Sequence, residues 1–370
     1  MKETHRPSGN LGPLFFCLFA IICCQWDTDV ALAAKKEAEG LTVGALYYLW
    51  WGLLPGEKNT WVQGYSLSPL LGEYSSRDRG VAEEHLRWAT QHGINLFEVS
   101  WAGPGRRDPS LDNDDIDLAL RQGLLKAPSI QDIKFLLVYE TEKTLIQEAK
   151  SIGYKDIPGA FIADITYASD TYFDHPSYFK LGGSPVVMIW KAKAVLNTLI
   201  KESGGDLSEV FQEIEKRIGQ DVFWVSLGED LYDPNGPDLN DPMLRAIDAV
   251  CPLLGDSFPP GETRPWREYL DKVSTSYALW VRGARKAGFL FIPSALPGFD
   301  DRAFKAGQNR LLRLDPQGFH ESLSLAKEMA KEGSNWFSIY GFNEWFESGA
   351  IEPTKEYGLR FLEALKEAVD

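Results

Sequence analysis

The chain carries too little positive charge to suit a polyanion. Thirty-eight Lys and Arg stand against 53 Asp and Glu, a net charge of −15. Nucleic-acid phosphates need basic side chains to displace their counterions, and an anionic membrane surface needs them for attraction. Neither partner fits this chain; a neutral ligand does. Cysteine is also scarce. Of four, Cys17, Cys23 and Cys24 lie in the N-terminal segment, leaving Cys251 alone in the rest. One thiol makes no intrachain disulfide and no cysteine-rich metal site. The five histidines include no His-x-x-x-His spacing, which leaves no zinc triad to expect from spacing. No metal or other cofactor is expected. There is no Gly-x-Ser-x-Gly elbow, against a serine hydrolase, and no internal repeat or low-complexity stretch.

No apolar run near the N-terminus is long enough to span a bilayer comfortably. Leu11–Cys24 has 14 residues, against about 20 for a spanning helix. Lys2 and Arg6 precede it, and Ala31-Leu32-Ala33 follows as a small-residue cleavage site. Residues 1–33 therefore read as a signal peptide or an uncleaved membrane anchor. A secreted or periplasmic protein is expected, touching a membrane only through that segment if it is retained.

The remainder has an ordinary folded composition, 44% hydrophobic and 25% charged, enough for a sizeable core. Eight apolar runs follow residue 41: Val43–Trp51, Ile94–Trp101, Ile133–Glu140, Pro185–Trp190, Val222–Leu227, Ala249–Leu254, Phe289–Ala295 and Trp336–Phe342. Strands covered on both faces read as near-continuous apolar runs. Helical patterns separate them. Leu270, Val273, Tyr277, Trp280 and Ala284 recur at spacings of three and four, as do Phe319, Leu323, Ala326 and Ala330. Gly93, Gly153, Gly288 and Gly333 each stand where a C-terminal helix cap needs a left-handed residue. Eight such alternations predict one (β/α)8 barrel over residues 41–370. An open doubly wound sheet is the alternative, but no Gly-rich phosphate loop follows the first strand.

In such a barrel the active site lies at the C-terminal ends of the strands. Those ends carry Tyr47, Tyr48 and Trp50; Glu98 and Trp101; Tyr139 and Glu140; Asp256; Phe299 and Asp300; and Asn343, Glu344, Trp345 and Glu347. Carboxylates and amides around one mouth hold hydroxyls, and the many aromatics, 12 Trp among them, cover the C–H face of a sugar ring. An oligo- or polysaccharide ligand is expected. Glu344 and Glu347 are the sharpest candidates. Three apart, they would point to opposite faces of a strand, so both face the mouth only if the chain turns between them. Two carboxyls in one poorly solvated site would divide into a proton donor and an anion acting as base or nucleophile. Glu98 and Glu140 read equally well as hydroxyl binders or as partners of arginines. His175, in Asp174-His175-Pro176, reads as a turn residue. The Asp233, Asn235, Asp238, Asn240, Asp241 loop reads as an Asx-rich turn loop; without the ordered spacing of an EF-hand, calcium is the weaker reading.

At these residues the chain resembles glycoside hydrolase family 99, the endo-α-mannosidases and endo-α-mannanases. Phe342-Asn343-Glu344-Trp345-Phe346-Glu347 is similar to that family's F-N-E-W-H-E motif. Phe291-Ile292-Pro293-Ser294 with Pro297-Gly298-Phe299-Asp300-Asp301 is similar to its F-x-P-S…P-G-Y-D-D segment, and Tyr47-Tyr48-x-Trp50 to its opening strand. His175-Pro176-Ser177-Tyr178-Phe179 with Ser184-Pro185-Val186-Val187 also matches in style. The resemblance implies a metal-independent retaining hydrolase of α-mannosides. Glu344 would deprotonate the sugar's own 2-hydroxyl, giving an anhydro-sugar intermediate. Glu347 would protonate the leaving group and then activate water. Phe346 stands where the family has His, and Ser348 where it has Gly. Ile351-Glu352-Pro353 with Tyr357-Gly358 looks more like the related domain of lipopolysaccharide-biosynthesis proteins. Glycosyl transfer, or glycan binding without catalysis, are the alternatives.

Overall fold

The structure, a computed structural model, describes residues 40–104, 116–140, 156–203, 207–228, 233, 235–253, 263–304, 311–313 and 315–370. The N-terminal segment, Gly153 and Asp256 lie outside them.

All eight apolar runs contain strand. β1 is Thr42–Tyr47, β2 Leu96–Trp101, β3 Lys134–Tyr139, β4 Ser184–Trp190, β5 Phe223–Gly228 and β6 Ala249–Pro252. β7 comes in two pieces, Leu290–Phe291 and Ser294–Ala295, and β8 is Trp336–Ile339. The break falls at Pro293, which has no N–H to donate to a ladder. Its carbonyl instead accepts from Ser338 at 3.0 Å. Every pairing between successive strands is parallel. The first piece of β7 pairs with β6 and the second with β8, which pairs with β1. The sheet therefore closes on itself as the predicted barrel.

Helices cover its outside: α1 (Arg79–Gln91), α2 (Ile116–Gln122), α3 (Ile157–Ala168), α4 (Ala192–Ser203), α5 (Leu207–Ile218), α6 (Trp266–Ala287), α7 (Pro316–Lys331) and α8 (Arg360–Val369). Their starts follow from capping. Asp78, Asp156 and Asp315 accept backbone N–H groups in the first turns of α1, α3 and α7. Gly288 takes the left-handed conformation that ends α6, φ 89°, and Gly93 has φ 89° after α1. Gly333 does not serve that way; the left-handed residue there is Asn335, φ 56°. Among the described residues no helix is long and apolar enough to cross a membrane.

Strand parity decides which side chains can reach the mouth. Register pairs Leu46 with Glu98 and Ala45 with Phe97, so Glu98 and Ser100 face the barrel interior while Phe97, Val99 and Trp101 face the helices. A three-stranded flap of Thr263–Pro265, Leu311–Arg313 and Phe299–Asp300 lies beyond β7.

Candidate active site

β1 and β8 end sooner than their apolar runs. β8 stops at Ile339, and Gly341, φ 87°, starts the irregular chain that follows. Trp345 accepts from Ser348 across a turn, with Ser348 N to Trp345 O at 3.3 Å. Glu344 and Glu347 thus lie where the chain turns, as their odd spacing requires. Both are nearly buried, 3% and 9% exposed. One Glu344 carboxylate oxygen accepts from the Phe346 amide at 3.0 Å, and the Tyr340 hydroxyl donates to Glu347 Oε2. The Glu347 carbonyl accepts from the Asp300 amide at 2.7 Å, tying the strand-eight turn to the flap.

Behind this turn is a buried polar plate. Asn343 clamps the chain after β1 from both sides. Its Oδ1 accepts from the Tyr48 amide at 2.8 Å, and its Nδ2 donates to the Tyr48 carbonyl at 2.9 Å. Trp345 sends its indole N–H to the Tyr74 hydroxyl and to Glu352 Oε2, each at 3.2 Å. Tyr74 donates to the same Glu352 oxygen at 2.7 Å. The other Glu352 oxygen lies 3.2 Å from His85 Nε2, and His85 Nδ1 meets the Tyr47 hydroxyl at 2.9 Å. Burial first, then the Glu352 charge, hold the Tyr47 and Tyr74 hydroxyls well above their usual range. Every member is buried. A buried carboxylate is tolerable only with such partners, so the plate locks α1, the loop after β1 and the strand-eight turn into one geometry.

In front lies an aromatic wall. Tyr48 packs on Trp50 with ring centroids 4.3 Å apart, and Trp51 stacks on Trp61 at 4.2 Å. Phe346 packs on Trp51 and on Phe304, each at 4.5 Å. Where the family motif has histidine, this chain has an apolar ring among apolar rings.

The expected site residues therefore divide. Tyr48, Trp50, Asn343, Glu344 and Glu347 come together at the ends of β1 and β8, with Phe299 and Asp300 beside them on the flap. Glu140, half-buried, accepts from Ser100 Oγ at 2.8 Å just beyond the ends of β2 and β3. Tyr47, Trp101 and Tyr139 are corrections: all three have outward parity. Tyr47 reaches His85 on α1; Trp101 donates to Asp117 on α2 at 2.9 Å; Tyr139 donates to Asp164 on α3. Trp345 also turns away from the mouth, into the plate. Glu98 is a further correction. It points inward but sits low in the barrel, fully buried, and pairs with no arginine among the described residues. Ser338 Oγ and Trp336 Nε1 donate to it, the latter at 3.1 Å. Burial raises its carboxyl to about 8, against the pull of those two hydrogen bonds. Gly44 makes the room: a Cβ there would stand 2.0 Å from Glu98 Oε1.

Tyr340 was missed. Its signal was faint, a tyrosine just past the strand and seven residues before Glu347. His175 holds a turn at the opposite end of the barrel, accepting from the Ser177 amide at 3.1 Å. In the loop after β5, Asp233, Asp238 and Asp241 each accept the amide two residues on, the expected Asx turns.

No protein-family model matches the chain. Among curated proteins it is similar to the glycoprotein endo-alpha-1,2-mannosidase of Mus musculus, 23% identical over 301 residues, which cover 78% of this chain and 57% of that protein. It is also similar to the glycoprotein endo-alpha-1,2-mannosidase-like protein of Homo sapiens, 26% identical over 302 residues, with the same coverage. The chain thus spans little more than half the length of these relatives. Among solved structures it resembles the GH99 endo-alpha-mannosidase from Bacteroides thetaiotaomicron, with TM-score 0.63 and 20% identity, covering 89% of this chain and 96% of that one. A glycoside hydrolase-like protein aligns with TM-score 0.66 and 18% identity, over 90% and 94%.

Proposed function

We propose that this chain, glycoside hydrolase family 99-like in sequence and fold, is a retaining hydrolase that cleaves α-mannosidic linkages within a glycan. The observation that supports the reading is the strand-eight turn, which carries the nearly buried Glu344 and Glu347 next to the hydrogen-bonded plate. Rigid support matters because a base misplaced by about 1 Å can lose about a hundredfold in rate.

Glu344 acts as the base. Its carboxylate, steadied by the Phe346 amide, takes the proton of the sugar 2-hydroxyl as that oxygen attacks the anomeric carbon. The glycosidic bond breaks, the anhydro-sugar forms, and Glu347 gives its proton to the departing oxygen. Tyr340 then donates to the Glu347 carboxylate, stabilising the anion that remains. In the second half Glu347 takes a proton from water as it opens the anhydro ring, and Glu344 returns its proton to the 2-oxygen. Tyr48 and Trp50 supply aromatic surface for the sugar's C–H face, and Glu140 a hydroxyl acceptor. No step uses a metal.

The motif that pointed to transfer, Ile351-Glu352-Pro353, places Glu352 in the plate and not at the mouth. Hydrolysis is preferred because the proteins it resembles are named as mannosidases. The proposal includes export directed by residues 1–33, which N-terminal sequencing of the exported protein tests. The activity itself is tested by incubating the purified protein with a panel of α-mannans and counting new reducing ends. Release of oligosaccharides from at least one mannan is expected; none from any of them rejects the reading.

A further inference from the structure

A second concavity lies beside the strand-eight turn. It is a cleft of about 580 Å³ between the flap, the first turns of α6 and α7, and the loop before α8. Asp300 and Ser348 line it, and both belong to the wall that carries Glu347: Asp300 N donates to the Glu347 carbonyl, and Ser348 follows Glu347 directly. Ser348 is left-handed, φ 53°, a conformation that is costly without glycine. The family motif has glycine there. This chain bears the strain and gains a hydroxyl on the cleft wall, and such outliers gather at ligand clamps.

The rest of the lining has the chemistry of a sugar subsite. Trp266 is half-buried and backed by the first turn of α7, where a Cβ on Gly318 would meet the indole at 3.2 Å. Its ring is therefore held in place, with the exposed Arg267 head 4.9 Å from its centroid. Tyr357 adds a second half-buried ring. The Arg302 charge is spent on Asp300 through two contacts of 2.7 Å. Asp315 caps α7, and with Arg267 counted the charges around the cleft balance. An uncharged ring with hydroxyls finds an aromatic face, carboxylate oxygens and a serine, whose hydroxyl donates to the Asp300 carbonyl at 3.4 Å.

We propose that this cleft is an accessory subsite for an uncharged hexose unit of the bound glycan, adjoining the units at the bond cleaved. Trp266 is the stacking platform, and Ser348 and Asp300 read hydroxyls. The inference rests on the glycan-hydrolase reading above.

The test is calorimetric binding of linear α-1,2-linked mannobiose and mannohexaose to protein disabled by Glu344→Gln. The hexaose should bind at least tenfold tighter than the biose. Adding Trp266→Ala should remove about tenfold of that gain, the usual cost of truncating an aromatic anchor, while leaving the biose unchanged. Trp266→Phe keeps a ring and should retain most of the gain. Ser348→Gly relieves backbone strain, so it folds even if the alanine variant does not, and should weaken the hexaose alone by about two- to fivefold. A length gain that survives both Trp266→Ala and Ser348→Gly, or no gain in the parent, overturns the subsite. If neither saccharide binds, the mannoside reading fails and the subsite falls with it.

Discussion

Replacing Glu98 by Gln should change how stability depends on pH. The folded protein holds this carboxyl at about 8 against an ordinary value of 4.5, because burial disfavours its charge. Folded Glu98 therefore binds its proton more tightly than unfolded Glu98. Its contribution to stability is complete below about pH 4.5 and is lost as pH rises to about 8. A difference of about 3.5 pK units corresponds to about 5 kcal/mol, at 1.36 kcal/mol per unit. About 3.5 kcal/mol of this falls between pH 5 and pH 8. The amide has nearly the same shape and still accepts a hydrogen bond from Ser338 or Trp336, but it does not titrate. At pH 5 the variant should be within about 2 kcal/mol of the parent. By pH 8 the difference should have moved about 3.5 kcal/mol in the variant's favour, roughly 5 °C in melting temperature for a chain of this length. Cys251, facing the same interior, is raised by burial above its ordinary value of 9.0, so it does not titrate in this window. The assay is thermal and urea unfolding of both proteins at half-unit steps from pH 5 to 8.5. Parallel stability curves would refute the reasoning, and with it the claim that Glu98 is a neutral core residue and not an ionised sugar ligand.

The plate makes its own prediction. Glu352→Ala leaves Tyr74 and Trp345 without their shared acceptor, so unfolding free energy should fall by about 2–4 kcal/mol. Glu352→Gln, which keeps an acceptor, should fold but lose kcat on mannan with little change in KM; a pure KM effect would show that the plate does not position the glutamates. Tyr340→Phe removes the hydroxyl that donates to Glu347, and should slow turnover about 10–100-fold on mannan, because the hydrogen bond serves an ionised group in a water-poor site. Steady-state kinetics of that variant at constant pH decide the point, and an unchanged rate would remove Tyr340 from the mechanism.

Much of the fold was legible because burial on both faces writes each barrel strand as an apolar run. The runs overshot the strands at β1 and β8. Tyr48–Trp51 and Tyr340–Phe342 are as apolar as strand, but the first is clamped by Asn343 and the second breaks at Gly341. Apolarity reports burial, and these segments are buried with only scattered backbone bonds, such as Tyr340 N to Ala295 O at 2.9 Å and Phe342 N to Leu46 O at 2.6 Å. The turn between Glu344 and Glu347 was legible in their odd spacing. What escaped was parity. Tyr47, Trp101 and Tyr139 stand at strand ends, yet alternation turns all three toward helices, and an aromatic reads the same on either face of a doubly covered strand. Glu98 failed differently: paired with Leu46 and pointing inward, its side chain packs against Gly44 and Ser338 below the mouth, and strand pairing is a long-range property that one segment does not reveal.

The division of labour between Glu344 and Glu347 is the centre of the account. It is tested most directly by comparing Glu344→Gln and Glu347→Gln on a natural α-mannan and on an activated α-mannosyl fluoride or aryl mannoside. Both variants should lose about 10²–10⁴-fold on the mannan, the usual range for one acid–base group. On the activated substrate Glu347→Gln should recover most of its loss, since a good leaving group needs no proton, while Glu344→Gln stays slow because the attack itself is impaired. Equal losses for Glu347→Gln on both substrates, or near-full activity of either variant on mannan, would contradict the assignment.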